Sequence, residues 1–328
     1  SELSKWIDST AFTIVDGSGN DTLDFSGFSN NQVIDLRPTE RNSSTLYNSD
    51  IGGRIGNLII SSGTIIENAI GGLGNDNITG NYSNNIINGG NGDDFLIGGL
   101  GNDTYIVDSI SDKVYENANE GADLIISSVS LTLPVNVEKI TLTGSSDIDA
   151  IGNDLDNIFK VNSGNNNIDG SEGTDIVIFD GLFDNYILSL SNNNLVIEDI
   201  RSSFPNGITT LENIEIAEFE DITKTIIELL NNLHKIDQIN FGASRLNILD
   251  RNTTRNIDAS AVTTFSGNAS DINTAYTSSG ISGLENSDIT ISDTTINASL
   301  LNSIDGNTTG NIDASAVTTF SGNASDIN

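Results

Sequence analysis

The sequence lacks cysteine and methionine, and it contains a single histidine, His234. Disulfide bonds and thiolate metal sites are therefore excluded, and nucleophile–base pairs and zinc sites have almost nothing to be built from. An H-E-x-x-H zinc motif needs two histidines and is also excluded within these residues. We expect His234, which ends an apolar run beside Lys235, to place positive charge at a helix C-terminus. No catalytic residue is predicted.

Basic and aromatic residues are scarce as well. The 328 residues include 13 Lys and Arg against 46 Asp and Glu, a formal net charge of −33, and only 6% are aromatic. Such a charge opposes binding to nucleic acid or anionic lipid and favours divalent cations. Acidity could serve solubility alone, but many of the carboxylates occupy fixed places in glycine-rich turns. No apolar stretch is long enough to cross a membrane, and the first residues lack the pattern of a cleaved leader.

Four nine-residue units run without a gap from Gly71 to Ile106. The units at 71–79, 89–97 and 98–106 fit G-G-x-G-x-D-x-U-x, where U is apolar, whereas the unit at 80–88 has Asn85 in place of Asp. Glycines permit tight turns, Asp offers a hard carboxylate, and the apolar residue starts a strand with an inward side chain. Stacked units would bring carbonyls and Asp side chains to shared calcium ions, which predicts a calcium-binding parallel β-roll. An amide carries no charge, so we expect the Asn85 half-site to bind weakly or to stay empty.

This nonapeptide is identified as the repeat of RTX (hemolysin-type) proteins. Residues 12–81 also resemble the start of the C-terminal domain of serralysin-type metalloproteases, through the segments 12–28 (FTIVDGSGNDTLDFSGF), 34–38 (IDLRP) and 66–72 (IENAIGG). The resemblance implies that Asp16, Gly19 and Asp21 help to bind one calcium ion and that Glu67 ligates the first calcium of the roll.

The predicted cofactor is calcium, as several ions, held by carboxylates and by carbonyl oxygens of glycine-rich turns. The predicted metal-binding residues are Asp16, Gly19, Asp21, Glu67, Gly72, Gly74, Asp76, Gly90, Gly92, Asp94, Gly99, Gly101, Asp103, Asp123, Gly173 and Asp175.

A second block keeps the nine-residue register from Gly152, Val161 and Gly170, but only its last unit retains the turn chemistry well, so we expect fewer ions there. The predicted organisation is a serralysin-C-terminal-like β lead-in at 1–70, an RTX β-roll at 71–108, a β spacer at 109–150, a second, degenerate RTX β-roll with capping strands at 151–225, and strand–helix repeats at 226–328.

The last region contains a tandem copy. Residues 256–273 recur without change as 311–328, a period of 55 residues. Within a period the pattern predicts strands at 261–265 and 289–292 and helices at 270–277 and 296–304, with Ser270 as the N-cap of the first. Such units bury their faces only against neighbours, which predicts a small α/β solenoid. Because the copy stops in mid-period, we expect the natural protein to continue.

The predicted fold class is mainly β, with calcium-binding parallel β-roll blocks followed by a small α/β (strand–helix) solenoid repeat array. The leading functional hypothesis is a calcium-dependent structural segment of a larger secreted bacterial surface protein, of the surface-layer or adhesin type, exported by a type I route. It would fold on binding extracellular calcium, since sites with Kd of about 10⁻⁴–10⁻³ M stay empty in a cytosol. Expected partners are calcium and copies of the chain or other cell-surface components, and no nucleic acid. The alternative is the C-terminal secretion and folding module of a serralysin-like protease or another RTX exoenzyme.

Overall fold

The computed structural model describes residues 11–40, 43–191, 194–201, 207–232, 240–252 and 256–323. His234 and Lys235, for which a helix C-terminal role was predicted, lie outside these residues. The chain divides into two compact units, one formed by Ser1–Gly181 with Ser202–Thr223 and the other by Leu182–Arg201 with Lys224–Asn328. Among the described residues, no helix has the length and apolar character needed to span a membrane.

Short strands provide most of the regular structure. The strands of the described residues are β1 (Phe12–Ile14), β2 (Thr22–Asp24), β3 (Val33–Asp35), β4 (Asn48–Ser49), β5 (Leu58–Ile60), β6 (Asn68–Gly72), β7 (Asn77–Thr79), β8 (Ile86–Gly90), β9 (Phe95–Ile97), β10 (Thr104–Val107), β11 (Lys113–Tyr115), β12 (Leu124–Ser127), β13 (Leu131–Thr132), β14 (Lys139–Leu142), β15 (Ala150–Ile151), β16 (Ile158–Lys160), β17 (Asn166–Asp169), β18 (Ile176–Ile178), β19 (Tyr186–Ser191), β20 (Asn194–Asp199), β21 (Ile208–Glu212), β22 (Ile216–Glu218), β23 (Thr223–Thr225), β24 (Asn240–Gly242), β25 (Ile257–Asp258), β26 (Thr264–Gly267), β27 (Ile281–Ser282), β28 (Asp288–Ile291), β29 (Thr295–Asn297), β30 (Ile312–Asp313) and β31 (Thr319–Ser321). The helices are α1 (Ile226–Asn232), α2 (Ala243–Asn252), α3 (Ala269–Thr277) and α4 (Ala298–Asp305).

In the first unit, successive strands alternate between parallel sheets, so the chain winds as a coil. One sheet has the order β2-β6-β8-β10-β12-β14-β16-β18-β22, and the strands between them pair as β3-β7-β9-β11 and as β13-β15-β17-β21. Ile87 pairs with Tyr105 and Ile78 with Leu96, partners two nine-residue units apart. One coil of the roll therefore contains two units, and the predicted parallel β-roll is confirmed.

The core of the roll is a column of side chains from the eighth position of each unit. Ile78, Ile87, Leu96 and Tyr105 are fully buried, whereas the neighbouring seventh-position side chains Ile86 and Phe95 are exposed. The alternation follows from the period of two residues in a strand. Each buried side chain of this size contributes about 1.5–3 kcal/mol, so the apolar residue of the motif holds neighbouring coils together.

The roll continues beyond the end at residue 108 that the motif alone predicted. Residues 107–115 form a fifth nine-residue unit, and β11 pairs in parallel with β9 through Val114 and Leu96. This unit lacks the motif glycines but keeps Asp112 in the sixth position and Val114 in the eighth. The predicted spacer belongs to the same coil, because β12 and β14 pair with β10 and β16.

The second unit contains an antiparallel hairpin, β19–β20, and the strand–helix repeats. Tyr186 pairs with Asp199 in the hairpin, and Arg201 forms an ion pair with Asp199 at 2.6 Å. The repeats form a parallel sheet in the order β24-β26-β28-β30, beside the pairs β25–β27 and β29–β31. A shared apolar core that includes Phe265, Ile272 and Ile289 joins helices and strands. The predicted strand–helix solenoid is therefore present.

Three predicted boundaries in the repeats were wrong. The N-cap of α3 is Asn268, whose Oδ1 accepts the N–H of Asp271 at 2.8 Å, and not Ser270. The strand predicted at 261–265 begins only at Thr264, because a turn closes there with the N–H of Val262 donating to the carbonyl of Ala259 at 3.0 Å. The helix predicted at 296–304 is α4, which begins two residues later, at Ala298, because residues 295–297 form β29.

Candidate calcium sites of the roll

The sixth residue of each nine-residue unit links one coil to the next. Oδ1 of Asp94 accepts the backbone N–H of Asp76 at 2.7 Å, and Oδ1 of Asp103 accepts the N–H of Asn85 at 2.6 Å. Asp175 receives the N–H of Asn157 in the same way, at 2.7 Å. The winding of the roll produces this contact, since sixth-position residues of neighbouring coils stand side by side. The sequence-predicted carboxylates therefore lie at the turns, between coils.

The second oxygen of three of these carboxylates has no hydrogen-bond partner. Oδ2 of Asp94, Asp103 and Asp175 is buried and unpartnered, and the three residues are at most 2% exposed. A buried carboxylate oxygen without a partner is costly and requires a compensating group. Oxygen ligands from carboxylates and backbone carbonyls are the set that calcium prefers. These turns therefore fit calcium.

The glycines of the motif make room for the carboxylates and for neighbouring carbonyls. A Cβ on Gly89 would overlap Oδ2 of Asp94, and a Cβ on Gly98 would overlap Oδ2 of Asp103. Gly92 has a φ of +141°, and a Cβ there would overlap the carbonyl oxygen of Gly74 in the neighbouring coil. Side chains at these positions would fill the space in which carboxylate and carbonyl oxygens converge.

The other predicted glycines of the roll also lie so close to the backbone of a neighbouring coil that a side chain would not fit. An added Cβ would lie within 2.7 Å of a carbonyl oxygen of another coil at each of Gly72, Gly90, Gly99, Gly101 and Gly173. At Gly74 it would lie 2.6 Å from the backbone of Asn30 and Asn31. The structure thus places the predicted glycines at turns where carbonyl oxygens are concentrated.

Burial changes the protonation of these acids. It raises the pKa of Asp94 and of Asp103 to about 7 and that of Asp175 to about 6. Neighbouring carboxylates raise the pKa further, Asp112 in the case of Asp94 and Glu215 in the case of Asp175. A divalent cation would reverse this effect, because it stabilises the charged form.

Asp76 and Asp112 differ from these three residues because both of their oxygens accept backbone N–H groups. Asp76 receives the N–H groups of Gln32 and Gly72. Oδ1 of Asp112 accepts from Asp94 at 3.0 Å, and Oδ2 accepts from Asp108 and Ser109 at 3.2 and 3.1 Å. Sequence reasoning missed Asp112, although the unbroken nine-residue register was a signal that could have found it.

Asparagine replaces Asp in other turns, and its amide group takes a different role. Oδ1 of Asn85 accepts the N–H of Asn81 at 2.8 Å, while Nδ2 donates to the carbonyl of Glu67 at 2.8 Å. The pairs Asn153/Asn157 and Asn162/Asn166 repeat this spacing, with Nδ2 of the second residue donating to Oδ1 of the first. The amide N–H groups donate hydrogen bonds to oxygens that would otherwise be available to coordinate a cation. This gives a physical reason for the weak binding expected at Asn85.

The lead-in brings its four predicted residues together. The N–H of Asp21 donates to Oε2 of Glu67 at 2.8 Å, and Oδ2 of Asp21 is enclosed without a partner. Burial raises the pKa of Asp21, and the nearby carboxylates of Asp16 and Glu67 raise it further. Gly19 has a φ of +152°, and a Cβ there would lie 2.7 Å from Oδ2 of Asp21. Asp16, Asp21 and Glu67 therefore form one acidic group beside Gly19, whereas the resemblance implied that Glu67 belongs to a separate site, the first calcium of the roll.

Two glutamates that sequence reasoning missed have the same role as Glu67. Oε2 of Glu138 accepts the N–H of Asp123 at 2.7 Å, and Oε2 of Glu215 accepts the N–H of Asp175 at 2.8 Å. A local signal was present, because each of the three glutamates follows an apolar residue and directly precedes a strand. Asp123, which was predicted, accepts the N–H of Asp103 through Oδ1 at 2.7 Å and so continues the series of Asp side chains.

Comparison with known families agrees with this geometry. Residues 4–133 match the family described as Peptidase M10 serralysin C terminal, and residues 151–185 match the RTX calcium-binding nonapeptide repeat. The chain carries RTX calcium-binding repeats. The first match extends the predicted resemblance of residues 12–81 in both directions, and calcium as the cofactor is confirmed. The extracellular location expected from the sequence is supported too, because serralysin-type RTX proteins are secreted.

Similar proteins include several bacterial metalloproteases. Metallopeptidase AprA of Pseudomonas marginalis is 50% identical over 68 residues, which are 21% of this chain and 13% of that protein. Serralysin C of Dickeya chrysanthemi is 55% identical over 64 residues, 20% of this chain and 12% of that protein. Serralysin of Proteus mirabilis is 47% identical over 68 residues, 21% of this chain and 12% of that protein. The matched part of the chain thus spans only 12–13% of the length of these relatives.

Proposed function

We propose that the chain is the calcium-dependent folding and secretion module of a serralysin-like protease or another RTX exoenzyme. The observation that carries this proposal is the set of buried, unpartnered Oδ2 atoms of Asp94, Asp103 and Asp175. They lie in turns that belong to a serralysin-type C-terminal region and to RTX repeats. The same observation explains why the fold would depend on calcium.

The negative charge of the chain would make its folding depend on the calcium concentration. With a formal charge of −33, repulsion between closely spaced carboxylates opposes stacking of the glycine-rich coils. Bound calcium supplies the positive charge that removes this repulsion. Asp94 and Asp103 would then connect adjacent coils through Oδ1, which accepts a backbone N–H, and through Oδ2, which faces the ion. A chain that crosses a membrane unfolded would in this way fold after export.

The surface-layer or adhesin role, which was the leading hypothesis from the sequence, has less support than this alternative. The matched families are a protease C-terminal region and a calcium-binding repeat, and neither implies a lattice or an adhesive surface. Self-association and binding to cell-surface components remain predictions. Proteolysis would belong to a part of the parent protein outside these residues, because the sequence has one histidine.

Calcium titration of the metal-stripped full chain tests the proposal. Circular dichroism should show a gain of β-structure, and calorimetry should show several bound ions. Magnesium at the same concentration is the control, since it demands octahedral geometry and dehydrates reluctantly. A chain that keeps the same spectrum and binds no calcium would refute the proposed function.

The parent enzyme has its own test. The coding sequence upstream of Ser1 should contain an H-E-x-x-H motif or another catalytic domain. Further repeats in that region, without a catalytic domain, would favour the structural role instead.

A further inference from the structure

The turn that follows the fifth unit departs from the nonapeptide pattern. Asp123 accepts the N–H of Asp103 from 20 residues away, whereas Asp103 accepts the N–H of Asn85 from 18 residues away. The turn therefore contains two additional residues. In addition, Glu116 stands 18 residues after Gly98, where the motif would place its first glycine. A carboxylate side chain thus occupies the position that glycine holds in the four units from Gly71 to Ile106.

Glu116 forms a compact cluster with two of the Asp side chains. One carboxylate oxygen from each of Asp103, Glu116 and Asp123 lies within 4.8 Å of the others. Calcium binds oxygen at about 2.3–2.6 Å, so two ligands of one ion can be separated by up to about 5 Å. The three oxygens are therefore close enough to belong to a single coordination shell.

The cluster is buried, and some of its carboxylate oxygens have no hydrogen-bond partner. Asp103, Glu116 and Asp123 are at most 2% exposed, and both Oδ2 of Asp103 and Oε2 of Glu116 lack a hydrogen-bond partner. The other Glu116 oxygen accepts the hydroxyl of Tyr105. Two buried carboxylates of one cluster thus each carry an unpartnered oxygen, which is the arrangement expected around a cation.

The charge of the cluster also favours a cation. Lys139 acts electrostatically on Asp123, but one positive charge cannot neutralise three carboxylates. Burial of like charges without compensation would be strongly destabilising. A divalent ion together with Lys139 would balance the three negative charges.

We propose that Asp103, Glu116 and Asp123 form a calcium site with three carboxylate side chains, which differs from the nonapeptide sites in having a glutamate at the place of the first glycine. The inference rests on the proposed function, because it assumes that the roll binds calcium. More carboxylate ligands favour tighter binding, so this site should fill before the glycine-based sites. The coils around this site would then be the first part of the roll to become ordered as calcium binds.

Calorimetric titration of the full chain with calcium tests this site. The wild type should show one site at least tenfold tighter than the rest, and Glu116→Gln should lose that site while the weaker ions still bind. Glu285→Gln, an exposed glutamate of the second unit, is the matched control and should leave the titration unchanged. If Glu116→Gln and the wild type bind the same number of ions with the same affinities, the inference fails while the proposed function stands. If the wild type binds no calcium, the proposed function fails.

A second measurement does not depend on the folding of the Glu116 variant. Terbium, which substitutes for calcium, emits when a nearby tyrosine transfers energy to it, and Tyr105 adjoins Glu116. The wild type should show tyrosine-sensitised emission at the first equivalent of terbium. Tyr105→Phe keeps all three carboxylates and should lose most of that emission while retaining the tight site in calorimetry. Unchanged emission from Tyr105→Phe would contradict an ion at this cluster.

Discussion

Oε2 of Glu138 accepts the backbone N–H of Asp123 at 2.7 Å, and each of the two residues directly precedes one of the paired strands β12 and β14. Glu67 and Glu215 make the same contact with Asp21 and Asp175, each at 2.8 Å. The nine-residue register is interrupted at all three places, so no sixth-position Asp is available to accept the N–H. A glutamate that directly precedes or begins the next coil provides the acceptor instead. The roll therefore continues through regions in which the motif is absent.

Glu138→Ala should destabilise the roll. The substitution leaves the N–H of Asp123, a buried residue, without its acceptor, which costs about 1–3 kcal/mol. Urea unfolding in the presence of calcium would measure the change. Glu138→Gln is the control, because its amide oxygen can still accept this hydrogen bond. Equal losses in the two variants would show that the charge, and not the hydrogen bond, matters.

Asp94→Ala should reduce calcium binding, whereas Asp93→Ala should not. Asp94 is buried with a free Oδ2, but the adjacent Asp93 is exposed. We expect the Asp94 variant to bind at least one ion fewer in calorimetry and to melt at a lower temperature in calcium. The neighbouring substitution removes the same charge and serves as the control. Indistinguishable calcium titrations of the two variants would refute the site assignment at Asp94.

Asn85→Asp should make its turn dependent on calcium. Without metal, the variant loses the Nδ2 donor to the carbonyl of Glu67 and gains a buried charge, so its melting temperature in a chelator should fall. With calcium, the new carboxylate should add one ion to the calorimetric stoichiometry and restore stability. Asn84→Asp, at an exposed neighbouring position, is the control and should change neither quantity. An unchanged ion count for Asn85→Asp would count against the interpretation of the asparagine turns.

The metal-free roll should be more stable at pH 5 than at pH 8. The pKa of Asp94 and of Asp103 is about 7 in the folded chain, against an ordinary value of 3.8. Between these values the folded state binds more protons than the unfolded state, so the free energy of unfolding falls as the pH rises from about 4 to about 7. Urea midpoints of the metal-stripped chain at several pH values measure this. Saturating calcium should reduce the dependence, and a midpoint that rises with pH would contradict the prediction.

In the strand–helix repeats, local sequence patterns predicted the elements but placed their ends a few residues away from the observed ones. Ser270 is a good N-cap by composition, but Asn268 also caps well, and packing of β26 against β28 brings the chain into α3 two residues earlier. The sequence nevertheless predicts the strand–helix order. Its boundaries depend on which hydrogen bonds the neighbouring coil leaves available.

The sequence by itself determined the β-roll, its nine-residue register and the identity of calcium as the ligand, because spacing and residue type repeat along the chain. It also predicted most carboxylates, including Asp94 and Asp103. Only the tertiary structure decided which oxygens are free, since Asp76 and Asp94 share one motif position but differ in their N–H partners. The cluster of Asp103, Glu116 and Asp123 likewise depends on coiling. Its members are separated along the chain by a broken register, and they meet only because neighbouring coils stack.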